Sequence, residues 1–182
     1  MQNRQEIENI RFSYFWKSGN NVFNTTPSKE ISFGELVDHI KDKSNKDTLK
    51  EERAFITAYG TFSKRNNDSL KVFNHDLVAL DYDGLNKEQL NCISNFWEGQ
   101  PNTILSLISP SQNGLKVIIR AKHNFEPKDL HDGLNHKIDF FTVRGIKADH
   151  MQFVLSQPLF IPYAEDPYFN PEAEVIDYDF EP

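Results

Sequence analysis

Asp81 and Asp83, one residue apart at the end of the apolar run Leu77-Val78-Ala79-Leu80, are the pair in this chain best suited to grip a hard divalent cation. Residues two apart on a strand share a face, so both carboxylates point the same way. Mg²⁺ is content with one or two carboxylates plus substrate phosphates and water, and this pair matches that economy. Further along, Ser109-Pro110-Ser111-Gln112-Asn113-Gly114-Leu115-Lys116 places small and hydroxyl residues in a turn before a basic residue and an apolar strand. Serine hydroxyls and exposed backbone N–H groups near Gly114 can form an anion nest, and Lys116 adds the charge. Arg120, four residues on and on the same strand face, extends the reach toward a phosphate or else caps the sheet edge. Together these stretches describe a metal-assisted nucleotide site. Plainer roles fit the same residues: acids and glycine are common where a strand ends in a turn, and Asn113-Gly114 is a hairpin signal in its own right.

The elements that must position these groups are readable from periodicity. Leu77 to Asp83 is the clearest strand, released by Gly84 into a helix that starts at Asn86 and carries Leu90, Ile93 and Phe96-Trp97 on one face. Strands are expected over Thr103–Ile108 and Leu115–Arg120, joined by the Asn113-Gly114 loop. Upstream, the aromatic-rich opening (Phe12, Tyr14, Phe15, Trp16) reads as an edge strand. Ser32 and Glu35 have capping-box spacing for a helix through Leu36, Val37 and Ile40. A second helix is expected after Thr48, with Leu49, Arg53, Ile56 and Tyr59. Downstream, Pro127 opens a helix with Leu130, Leu134, Ile138 and Phe141, and short strands follow at Phe153-Val154-Leu155 and Leu159-Phe160-Ile161. The order predicts an α+β fold: a largely antiparallel sheet covered by helices, with a split βαβ core of the RRM or ferredoxin-like kind.

Composition bounds the rest. With 182 residues, 38% hydrophobic and 26% charged, the chain suits one ordinary globular domain. No apolar run approaches the roughly 20 residues of a membrane span, and the single Cys92 rules out an internal disulfide or a cysteine-rich zinc site. The start lacks a signal-peptide profile, so a cytoplasmic setting with no membrane partner is expected. The net charge is −7, but Met151 to Pro182 holds seven acids and no Lys or Arg, leaving 20 acids against 20 Lys and Arg in the rest. The acidity belongs to an extended tail over residues 164–182, and the domain proper is expected over 1–163. Without a basic stripe, the body offers little electrostatic grip on a nucleic acid backbone. Lys64 and Arg65, following Phe62 after a glycine turn, are candidates for nucleic-acid contact, with solvated surface charge as the plainer alternative; Phe12, Phe15 and Phe62 are candidates for base stacking.

Asp81-Tyr82-Asp83, the Ser109-Pro110-Ser111 to Lys116 stretch and Asp149 together resemble the three motifs of archaeo-eukaryotic primase–polymerase domains. More closely, the chain resembles the primase-like module called the VirE N-terminal domain. That likeness runs through Gly60-Thr61-Phe62-Ser63-Lys64-Arg65, Leu77 to Leu85, the Ser-Pro-Ser loop, and Ser156-Gln157 to Asp166-Pro167-Tyr168-Phe169-Asn170-Pro171. It covers about residues 10–171. The resemblance implies a primase-like core in which Asp81, Asp83 and Asp149 are catalytic metal ligands for Mg²⁺ or Mn²⁺, and Ser109, Ser111, Gly114 and Lys116 hold a nucleoside triphosphate. It implies a metal-dependent nucleotidyltransferase in DNA replication of a phage or mobile element, with single-stranded nucleic acid and a helicase-like domain or protein as partners. The wider pattern carries His at the place of Lys116. His can donate to phosphate and shuttle a proton, whereas Lys acts there as a point cation. The alternative is therefore a catalytically inactive nucleic-acid- or helicase-binding module of the same fold.

Overall fold

The structure, a computed structural model, describes residues 2–16, 24–49, 52–109 and 111–178. In chain order the elements are α1 (Gln2–Asn9), β1 (Arg11–Phe15), β2 (Lys29–Ser32), α2 (Phe33–Lys41), β3 (Phe55–Thr57), β4 (Gly60–Phe62), β5 (Leu70–Phe73), β6 (Leu77–Tyr82), α3 (Lys87–Glu98), β7 (Thr103–Ile108), β8 (Leu115–Lys122), α4 (Leu130–His136), β9 (Thr142–Val143), β10 (Ile146–Lys147), β11 (Pro158–Phe160), β12 (Tyr168–Phe169) and β13 (Ile176–Asp177). The fold is α+β, with mostly antiparallel sheets. One sheet has the order β11-β3-β1-β2. In a second, five-stranded sheet, β8 lies between β6 and β7, antiparallel to both, β12 borders β7 and β13 pairs in parallel with the end of β8; β4-β5 and β9-β10 form two-stranded sheets.

Since β6 and β7 are parallel, separated by β8 and linked through α3, the unit β6-α3-β7-β8 is a split βαβ. Leu77, Val78, Ala79 and Leu80 are all buried, so β6 is covered on both faces, which explains its unbroken apolar run. Helix α3 is capped as its sequence predicts, Asn86 and Gln89 each accepting the other's backbone N–H. The Ser32–Glu35 capping box likewise starts α2.

The edge of β6 that faces away from β8 meets side chain and loop. The Tyr59 hydroxyl lies 3.3 Å from the Ala79 N and 3.4 Å from the Ala79 O, accepting from one and donating to the other. Two residues on, the Asp149 N–H donates to the Asp81 carbonyl at 2.7 Å. These contacts answer the demand that buried backbone polar groups be paired.

Several expectations need correction. Among the described residues after Thr48 the expected helix does not continue to Tyr59: Ile56 lies in β3, and Tyr59 sits in the tight connection to β4. Gly60 permits that connection, because a Cβ there would stand 2.0 Å from the Val72 carbonyl oxygen. Helical spacing misled because β3 is short and buried throughout, and burial on both faces erases the two-residue alternation. β1 is an interior strand between β2 and β3 rather than an edge. The helix after Pro127 is confined to α4 and gives way to a 3-10 turn over Ile138–Phe141. The acidic C-terminal stretch, as far as it is described, packs on the second sheet through β12 and β13, with Ala173 fully buried between them; Asp179 and Glu181 lie outside the described residues.

His123, just past β8, is 4% exposed and flanked by the rings of Phe73 and Phe125. Burial pushes its pKa down to about 4, with His75 adding to the fall and Asp76 opposing it. The unfolded chain takes up this proton near the ordinary pKa of about 6.5, so stability falls as pH drops from there toward 4. The full loss is on the order of 3 kcal/mol. Chemical denaturation of the wild type and His123→Phe at pH 7 and pH 4.5 should show a smaller acid loss in the variant; equal losses would refute this assignment.

Candidate functional site

The site is built from the end of β6. Tyr82 turns into the core, where its hydroxyl accepts from the Trp97 indole N–H at 3.0 Å and donates to the Phe141 carbonyl at 2.8 Å. With Tyr82 anchored under α3, strand alternation sends Asp81 to the opposite side, and Asp83, just past the strand, borders the same cleft. Asp81 pairs in register with Lys116 of β8, and the Lys116 ammonium donates to Asp81 Oδ2. Both side chains are only 14% exposed. The other oxygen, Asp81 Oδ1, is buried with no hydrogen-bond partner. Burial raises the Asp81 pKa; Lys116 opposes this, while the Asp83 and Asp149 carboxylates add to it.

The loop between β7 and β8 forms the next wall. The Ser109 N–H donates to the Gly114 carbonyl at 2.8 Å, closing the turn, and the Ser109 and Ser111 hydroxyls are 3.0 Å apart. Ser111 also donates to the Asn113 side-chain oxygen. Gly114 is needed for close approach: a Cβ there would lie 2.9 Å from Asp83 Oδ1 and 3.1 Å from Ser109 Oγ. Pro110 of this loop lies outside the described residues.

Asp149 arrives from a distant segment. Its backbone N–H is tied to the Asp81 carbonyl, and its carboxylate caps the 3-10 turn His150–Phe153 by accepting from the Met151 N–H at 3.0 Å. Asp81, Asp83, Asp149, Ser109, Ser111 and Lys116 thus line one cleft of about 490 Å³. The lining is completed by Arg53 before β3, Gln152 of the 3-10 turn, and the segment around β11, including Phe160.

The donor set fits a hard dication: a buried carboxylate oxygen without a partner, and two further carboxylates around the same hollow. Among the described residues no three His, Cys, Asp or Glu side chains converge into a ready-made cage. A cation held here would therefore draw its remaining ligands from phosphate and water, as Mg²⁺ commonly does.

Three expected contributors lie elsewhere. Arg120 does not border the cleft; it is 7% exposed, and its guanidinium donates to the Ala173 carbonyl at 3.3 Å and to Glu6 Oε2 at 3.4 Å. The shared strand face is real, but four residues of strand carry Arg120 about 13 Å from Lys116. Lys64 is exposed and, like Arg65, outside the cleft lining. Arg65 donates from its backbone to Thr25 and from Nε to Asn24, with its guanidinium over the Phe55 ring at 5.4 Å. Phe12, Phe15 and Phe62 are core side chains, at most 2% exposed, and present no face for stacking.

Arg53, Gln152 and Phe160, all on the cleft, carry no site role in the sequence reading. Arg53 shows only the spacing of an expected helix, Phe160 that of a short strand, and nothing local distinguishes Gln152 from a surface amide. Gln157, also on the cleft, lies in the Ser156-Gln157 stretch of the motif pattern.

No curated protein and no solved structure matches this chain. A family model does match, over residues 48–169, and every residue that lines the cleft falls inside that span. The family matched is described as BT4734-like, N-terminal domain, rather than as the VirE N-terminal domain. The match spans well over half of the sequence and contains both acidic motifs, the serine loop and the β11 wall, so this chain belongs to the BT4734-like, N-terminal domain family.

Proposed function

We propose that the cleft binds a nucleoside triphosphate together with Mg²⁺ or Mn²⁺, and that the domain is a primase–polymerase-like nucleotidyltransferase module acting in DNA replication. The observation that carries the reading is the meeting of three acids from two separate chain segments with a serine loop and an ammonium group around one hollow. Asp81, Asp83 and Asp149 would hold the cation; the Ser109 and Ser111 hydroxyls and Lys116 would hold the phosphates. When bound, the cation supplies charge neutralisation for the phosphate oxygens. In the transfer, a 3′ oxygen bonds to the α-phosphorus, the bond to the pyrophosphate oxygen breaks, and the hydroxyl proton passes to a carboxylate or water in the cleft. Lys116, a point cation, stabilises charge on the phosphates but does not relay that proton.

A second reading is favoured by that same lysine: the cleft holds nucleotide without transferring it, and the domain recruits single-stranded nucleic acid or a helicase-like partner. Titration calorimetry of the intact protein with Mn²⁺ and nucleoside triphosphates tests what both readings share. Binding that requires the metal is expected; no heat with any of the four nucleotides would end both. Primer synthesis on single-stranded DNA then separates them, since extension product that disappears in Asp81→Asn excludes the inert module.

A further inference from the structure

The cleft is lined by charged groups, Arg53, Asp81, Asp83, Lys116 and Asp149, and by a neutral, partly apolar set, Gln152, Gln157, Pro158, Phe160 and Pro162. Gln152 stands out in the neutral set. Its side chain is 3% exposed, yet its amide nitrogen Nε2 has no hydrogen-bond partner. Its backbone N–H donates to the Asp149 carbonyl at 3.1 Å, which fixes it one turn from one of the cleft's acids. A buried amide donor left unpaired opposes folding, and a ligand oxygen that satisfies it gains a strong preference over one that does not.

We infer that the neutral lining residues form the nucleoside subsite and that Gln152 is its specificity-determining residue, donating from Nε2 to an acceptor oxygen of the sugar or base. The inference rests on the nucleotide reading above. Phe160 gives that subsite an apolar wall, in ring contact with Phe55 at 5.5 Å behind it. Gln152 serves recognition of the nucleoside and does not contribute to holding the phosphates, which belong to the serine loop and Lys116.

Gln152→Leu removes the donor while nearly preserving volume, and removal of an unpaired buried polar group should leave the melting temperature unchanged or higher. The test is calorimetry with Mn²⁺, comparing ATP, GTP, CTP, UTP and inorganic triphosphate on the wild type and this variant. The expected result is a loss of about tenfold or more in nucleotide affinity, with inorganic triphosphate within twofold of the wild type. An equal loss for all four nucleotides assigns the acceptor to the sugar; a loss that spares ATP alone, the one base without a carbonyl, assigns it to the base. Equal weakening of nucleotides and triphosphate, or no change in either, overturns the inference and leaves the nucleotide reading standing. A lowered melting temperature also counts against it, because it makes Gln152 a structural group. A wild type that binds neither nucleotide nor triphosphate overturns the parent reading, and this one with it.

Discussion

Asp81→Asn lowers Mn²⁺-dependent nucleotide affinity by at least about 100-fold, because groups that merely support a metal ligand already account for 10- to 100-fold. The substitution keeps shape and removes the charge of the most buried acid in the cleft. It also strands the Lys116 ammonium, only 14% exposed, without its carboxylate. Breaking a buried pair from one side costs about 3–5 kcal/mol, so loss of binding by the single variant would be open to a trivial explanation. The double variant Asp81→Asn with Lys116→Met resolves this. Replacing both partners by neutral groups avoids the stranded charge, and stability should return to within about 1 kcal/mol of wild type by urea denaturation while nucleotide binding stays absent. A double variant that regains both stability and metal-dependent binding would falsify the role given to Asp81.

Lys116→Met carries the second large effect, and its two readouts should move in opposite directions. In the protein as it stands, the ammonium occupies one oxygen of Asp81, so a cation arriving alone competes with it. Without the lysine, Asp81 lies beside the Asp83 and Asp149 carboxylates with nothing to offset them, and a dication is the natural counter-charge. Mn²⁺ affinity in the absence of nucleotide should therefore rise by about tenfold, a gain comparable to one charge-assisted contact. Nucleotide affinity at saturating Mn²⁺ should fall by roughly the same factor, since the phosphates lose their cation. If both affinities fall together, Lys116 is a structural partner of Asp81 and no phosphate ligand.

The pairing of metal-type and phosphate-type residues was readable before any coordinates because it is local. Asp81 and Asp83 share a face by strand alternation, and the serine loop joins two adjacent strands. The helix starts at Ser32 and Asn86 are equally plain, since a cap is decided within four residues. The expected helix through Ile56 and Tyr59 has a physical cause. Residues 55–57 form a strand buried throughout, and where every side chain is buried, apolar spacing no longer reports the period of the backbone. Arg120 shares the strand face of Lys116, but the length of strand between them and the burial that gives its guanidinium to the Ala173 carbonyl and Glu6 keep it from the cleft.

By itself the sequence determined the α+β class, the β6-α3-β7-β8 unit and the chemistry offered along one wall of the cleft, because each of these depends on residues close in the chain. Only the tertiary structure decided which distant groups complete that wall. A backbone hydrogen bond from Asp149 to the edge of β6 brings the third acid to the cleft of the first two, while the 3-10 turn that follows Asp149 and strand β11 of the other sheet supply Gln152 and Phe160. Such contacts follow from how a strand edge is covered and how two apolar faces meet, and neither is written in the spacing of residues along a segment.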